Sequence, residues 1–354
     1  MSIPTEPIGS LPRPRALQEA FAQHAEGRLS DAELEKAQDQ AVADTLARLA
    51  KLGSPVLVDG DQAKTGSITY PLQGLAGLAP DGVVIPYADG HTRQLPRLTA
   101  GPFRYQVRAD AYLRAARAKA DLPVKQAVVA PSALSLLYPA DGIDGYPREA
   151  FLRDLVDESA AEIRACLDAG AHAVQLDFTE GRLSLKLDPS GGVLDQFIEL
   201  NNQVLERFTE DERTRIGVHT CPGADRGSTH SLDVDYAELL PRLFRLRVGA
   251  FYLQLASEAD PDRVLSIAAD HLPAGARAFV GVTDPLDPVV ETAEQVRDRV
   301  LAAARHLPVD RLGTCDDAGF APYADDDSIS REIAFAKIEA RVRGTELASQ
   351  VLGA

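Results

Sequence analysis

Positive charge, cysteine and long apolar runs are all scarce in this chain. Lys and Arg number 37 against 53 Asp and Glu, a formal net charge of −16. Binding duplex nucleic acid needs a positive footprint that displaces counterions, and no dense Lys/Arg run supplies one. Nucleic acid and anionic membranes are therefore excluded as expected partners, and the acidity is read as serving solubility. The three cysteines, Cys166, Cys221 and Cys315, are too few, and odd in number, for a disulfide framework. No apolar run approaches the roughly 20 residues that span a bilayer. The opening MSIPTEPIGSLPRPR lacks the basic-then-apolar pattern of a secretory leader. The expectation is a reduced, soluble, cytoplasmic protein.

What is present is ordinary globular composition: 354 residues, 45% hydrophobic and 25% charged. Short β-type runs alternate with longer amphipathic stretches. Eight strands are expected: Glu6–Ser10, Pro55–Asp59, Val124–Ala130, Ala173–Asp177, Ile216–Thr220, Ala250–Leu255, Ala278–Val282 and Arg311–Cys315. Several are almost wholly apolar, as parallel strands buried on both faces should be. Helical patterns lie between them. Ser30 to Leu52 is one, with Ser30 and Asp31 as start signals and Gly53 as a stop. Eight strand–helix units point to α/β architecture, a (β/α)₈ TIM barrel; a doubly wound sheet shares the local pattern. One barrel domain is expected over 1–354. Gln62 to Phe103 breaks the rhythm, and is read as a β-hairpin-like insertion after the second strand.

Barrel active sites gather at the C-terminal strand ends. His219-Thr220-Cys221 ends the fifth. Residues i and i+2 of a strand project to one side, and imidazole plus thiolate is a donor set suited to zinc. The alternative is a buried His and a buried Cys two apart by chance. Cys315 ends the eighth strand beside Asp316 and Asp317; it is either a third metal donor or a small buried hydrophobe. Cys166, inside a helical pattern, is assigned to packing. Asp177 and Glu180 could bind a zwitterionic substrate or exchange protons, or form a salt-bridged loop with Arg182 and Lys186. Asp59 and Asp61 face a ligand or cap the next element. Asp325, Asp326 and Asp327 read as N-terminal complements of the last helix. His230 reads as a surface-loop histidine, with a spare metal ligand as the alternative.

Five motifs together carry a family resemblance: IGS at Ile8–Ser10, VDGD at Val58–Asp61, QLDFTEGRL at Gln175–Leu183, HTC at His219–Cys221 and DDAGF at Asp316–Phe320. Over essentially the whole chain it resembles the catalytic barrel of the cobalamin-independent methionine synthase superfamily, in its single-barrel form. The resemblance implies a zinc-dependent methyltransferase acting on a homocysteine-like thiol. It implies substrate binding by Ile8, Ser10, Asp61 and Asp177, with Asp177 and Glu180 as catalytic candidates. The family's larger enzymes carry an extra N-terminal barrel that helps hold folate polyglutamate. This chain has no room for it, so the expected donor is a shorter methyl-folate or a methyl-corrinoid protein. The family's zinc is held by His, Cys, Glu and a second Cys. His219 and Cys221 match the first two. Gln254 and Ala318 fall on the others, so Cys315 is expected to supply the missing thiolate as a metal ligand, with Glu258 or His230 completing the shell. Related barrels add a thiol to an epoxide, and more distant ones are metal-free decarboxylases. These, and a non-catalytic ligand-binding barrel, stand as the alternative functions.

Overall fold

A computed structural model describes residues 2–354. Six strands form one parallel sheet in chain order: Gln126–Val129, Val174–Asp177, Ile216–Thr220, Ala250–Leu253, Arg277–Gly281 and Leu312–Cys315. Their residues are nearly all buried, which matches their apolar sequences. The register places Asp177 beside His219, and His219 beside Tyr252.

The two other expected strands are not regular strands. The first segment makes one parallel bridge, Thr5 to Thr314, and the second makes one, Leu57 to Val124. Pro4, Pro7 and Pro55 remove backbone donors, so neither segment can sustain a ladder. The two segments meet where Leu11 N–H donates to the Gly60 carbonyl, at 3.0 Å. Six strands and two bridged segments thus form the staves of a TIM barrel.

Several helices begin at a side-chain cap. Ser30 and Glu33 form a capping box at the start of Asp31–Lys51, and Thr292 with Gln295 does the same for Ala293–Ala303. The last helix, Arg331–Leu352, is capped by Ser330. The acidic triplet before it does not cap it. Asp325 pairs with Arg93 and Arg226, and Asp326 accepts from Ser328 N–H and Oγ. Cys166 is buried in the main core, as expected. No helix among the described residues is long and apolar enough to cross a membrane.

Within 62–103 lie two short antiparallel pairs, Leu78–Ala79 with Arg97–Leu98 and Val84–Pro86 with Thr92–Gln94. Arg93 and His91 of this segment bind Asp225, 3.0 Å from His91 Nε2. Ala88 N–H donates to the Thr229 carbonyl at 2.9 Å. This segment is therefore stitched to the loop that follows Cys221.

The final helix packs on Ala293–Ala303 through Gly344. A Cβ there would stand 2.4 Å from Val296 Cβ and 2.6 Å from the Ala293 carbonyl oxygen. Neither atom is the end of a flexible side chain. Gly344→Ala would gain about 1 kcal/mol of helix propensity but force apart two packed helices, which costs about 1–3 kcal/mol. The clash dominates because both obstructing atoms are held. We expect a lower midpoint in urea; an unchanged or higher midpoint would show that the helices separate without cost.

Candidate active site

The barrel mouth holds a cleft with about 750 Å³ of non-atom space, part of it open to solvent. Ile8, Ser10, Asp61, Asp177, Glu180, His219 and Cys221 all line it. These residues come from four separate stretches of chain, brought together because each stretch follows a strand or a bridged segment at the same end of the barrel. Cys315 is not on the wall.

Asp177 is held from below by a buried relay. Glu6 lies 3.4 Å from Lys125 Nζ, which donates to Gln175 Oε1 at 2.8 Å. Gln175 Nε2 donates to Asp177 Oδ1 at 2.8 Å. Strand alternation puts Gln175 and Asp177 on the same, inward side. Across the sheet, His219 Nδ1 stands 3.3 Å from the same carboxylate oxygen. Its Nε2 faces the Asp317 carbonyl, also at 3.3 Å. Burial disfavours a charged ring, but Cys221 and Asp177 outweigh it and lift His219 to about 10.

Asp61 has a left-handed backbone, φ 53°, after Asp59-Gly60. Asp59 Oδ1 accepts Asp61 N–H at 2.9 Å and fixes the turn. Lys64 Nζ pairs with Asp61 at 2.8 Å, both fully buried. Burial works against the ammonium, yet Asp61 and Asp59 raise its pKa above the ordinary lysine value. Burial and the Asp61 charge raise Asp59. Arg13 donates to the carbonyls of Asp61 (2.7 Å) and Lys64 (2.9 Å), and also to Tyr323 and Ala321. Ser10 Oγ accepts Ala321 N–H at 3.3 Å. Gly319 permits this approach, because a Cβ there would stand 2.2 Å from Ser10 Oγ.

Glu180 begins a helix, Glu180–Leu187, and is buried. Ser132 Oγ donates to its Oε1, while Oε2 has no partner. Burial pushes this carboxyl up to about 8, against the opposing Ser132 bond. At neutral pH it therefore carries a proton. Its stabilising contribution is complete below the ordinary value of 4.5 and is lost as pH rises to about 8. Glu180→Gln stays neutral throughout. Relative to wild type, the variant should melt higher at pH 9 than it does at pH 5. An equal offset in the two buffers would refute the assignment.

Several site residues were not legible in the sequence. Arg13 and Lys125 act across separations of 48 and 50 residues, and nothing local marks them. Lys64 and Gln175 lie within three residues of the carboxylates they hold, but their pairing has no sequence signature of its own. His230, read as a surface histidine, lines the cleft instead. Its Nδ1 lies 2.8 Å from Ser231 Oγ, and burial, then Lys186 and Arg182, lower it to about 4. Asp317 is also a scaffold. Its carboxylate accepts Leu255, Ala256 and Ser257 N–H, each at 2.8 Å, and Ser257 Oγ at 2.7 Å.

The expected zinc shell does not assemble. Cys315 packs with Ile8, Tyr252 and Phe279 inside the barrel, and its Sγ donates to the Phe279 carbonyl at 3.4 Å. The expectation that it supplies a thiolate to the metal is corrected on that geometry. Gln254 Oε1 accepts Arg182 Nη1 at 3.0 Å, and Glu258 is paired with the same guanidinium at 2.8 Å. Ala318, on the cleft wall, has no donor. Among the described residues, no three His, Cys, Asp or Glu side chains are gathered as a metal cage. Two donors of a four-donor set do not fit a protein-held zinc.

The model of the catalytic domain of cobalamin-independent synthase matches residues 3–332. The chain belongs to that family. Within it, a methionine synthase of Sulfurisphaera tokodaii is 22% identical over 351 residues, covering 99% of this chain and 94% of that one. A 5-methyltetrahydropteroyltriglutamate–homocysteine methyltransferase of Synechococcus is 26% identical over 322 residues, covering 90% of this chain and 40% of that one. This family member thus spans about two-fifths of that relative's length. A B12-independent methionine synthase of Shewanella, solved with selenomethionine, superposes with a TM-score of 0.78 at 22% identity, covering 99% of both chains. That likeness supports the barrel fold.

Proposed function

We propose that this chain transfers a methyl group from a methyl-tetrahydropteroylglutamate to the sulfur of homocysteine or a close thiol amino acid. One observation carries the reading: in a member of this family, Ser10, Asp61, Asp177 and Glu180 converge on one cleft with His219 and Cys221. Relatives are named for this reaction. The family is described as cobalamin-independent, so the corrinoid donor is set aside.

In this proposal Asp177 and Asp61 receive the substrate ammonium, and Ser10 with the Ile8 backbone receives its carboxylate. Two fixed ends hold the sulfur in line with the methyl carbon, which lowers the entropic barrier. The S–C bond forms as the C–N bond to the pteridine breaks. The proton lost by the thiol balances the one gained by the departing nitrogen. Glu180, protonated at neutral pH, is the acid proposed to assist that departure. Zinc would hold the thiolate in the family's general scheme. The donor set here does not fit it, and no step above depends on it. Residues 1–354 are proposed to act as one catalytic unit. Insertion residues Ile85, Tyr87 and Leu95 wall the cleft.

The test offers homocysteine with monoglutamyl and triglutamyl methyl donors and follows methionine by mass. Methionine with at least one donor is expected. None with either, from folded protein, would end the reading.

A further inference from the structure

On the resemblance drawn from the sequence, Gln254 and Ala318 stand where the family's remaining two zinc donors fall, and neither supplies a charged donor. We propose that the chain has lost the capacity to hold zinc as an isolated protein, and that Gln254 and Ala318 are the reason.

Four observations support this. First, zinc held by protein needs three or four anionic or imidazole donors, and position 318 offers only a methyl group. Second, Gln254 is a neutral amide whose oxygen is already taken. The Arg182 guanidinium lies 3.0 Å from that oxygen and is itself buried. A dication beside it would be repelled at low dielectric. Third, His219 has both ring nitrogens against protein oxygens, the Asp177 carboxylate and the Asp317 carbonyl. Fourth, the nearest replacement thiol is committed elsewhere. Cys315 pairs in register with Gly281, its carbonyl accepts Val282 N–H at 2.9 Å, and its sulfur is buried. Bringing it to the cleft would dismantle the strand end that also positions Asp317.

The chemistry that follows is specific. A carboxylate at 254 and a thiolate at 318 would restore two charged donors to His219 and Cys221. The experiment is zinc analysis by mass spectrometry on protein grown with zinc, dialysed against EDTA and gel-filtered. Wild type is expected to retain under about 0.1 zinc per chain, and Gln254→Glu/Ala318→Cys about one. Circular dichroism establishes that the double variant is folded. Should it not fold, Ala318→Cys alone is titrated with cobalt(II), and its thiolate-to-metal absorption should exceed that of wild type. Wild type retaining about one zinc would overturn the proposal. So would a folded double variant that gains none, or a wild-type cobalt band equal to the single variant's. Zinc content reads the donor set and methionine reads the reaction, so the two proposals can fail separately.

Discussion

Replacing Asp177 with Asn is expected to lower kcat/KM for homocysteine methylation about 10²–10³-fold. Removing one partner of a buried, hydrogen-bonded charge pair costs about 3–4 kcal/mol, and each 1.36 kcal/mol is tenfold in rate. The amide keeps the shape of the carboxylate and can still accept from Gln175 Nε2. The loss therefore reads the missing charge rather than a collapsed wall. A thiol lacking the amine separates the two. Wild type should strongly prefer homocysteine over 4-mercaptobutanoate, and Asp177→Asn should lose most of that preference. A change of less than about threefold in kcat/KM would show that Asp177 does not receive the ammonium.

The largest stability effect is expected from Arg341→Met. Arg341 sits on the last helix with its side chain fully buried, and its Nε donates to Asp316 Oδ1 at 3.0 Å. Its Nη1 donates to Thr5 Oγ1 at 2.6 Å, so it ties the first bridged segment to the eighth strand end. Truncation leaves Asp316 charged and buried, with Thr283 Oγ1 as its remaining donor at 2.8 Å. Breaking such a pair costs about 3–5 kcal/mol. At a few degrees per kcal/mol the melting temperature should fall by roughly 10 °C. Adding Asp316→Asn should recover part of the loss, because the buried charge is removed. A single variant that melts within about 2 °C of wild type would mean that solvent reaches the carboxylate.

Six of the eight strands were legible because parallel strands leave a compact apolar run. The first and second were overread, since proline spacing decides whether a ladder forms and the apolar pattern ignores it. The carboxylates of the cleft were legible because strand ends are where a barrel places chemistry. The scaffold beneath them was not. Lys125 reaches Gln175, and Arg13 reaches Asp61, across 50 and 48 residues, and neither pairing leaves a local signature. Cys315 misled for a related reason. Its neighbours Asp316 and Asp317 suggested a site, but both are scaffold: Asp316 binds Arg341 and Asp317 binds the loop after Leu253. His219-Thr220-Cys221 kept its place at the mouth, with Asp177 rather than a second thiolate as its charged neighbour.

The most direct test is a single-turnover reaction with a deuterated methyl-tetrahydropteroylglutamate and unlabelled homocysteine. The labelled methyl group should appear on sulfur as methionine in wild type, and far more slowly in Asp177→Asn. Label that stays on the donor with folded wild-type protein would contradict the account.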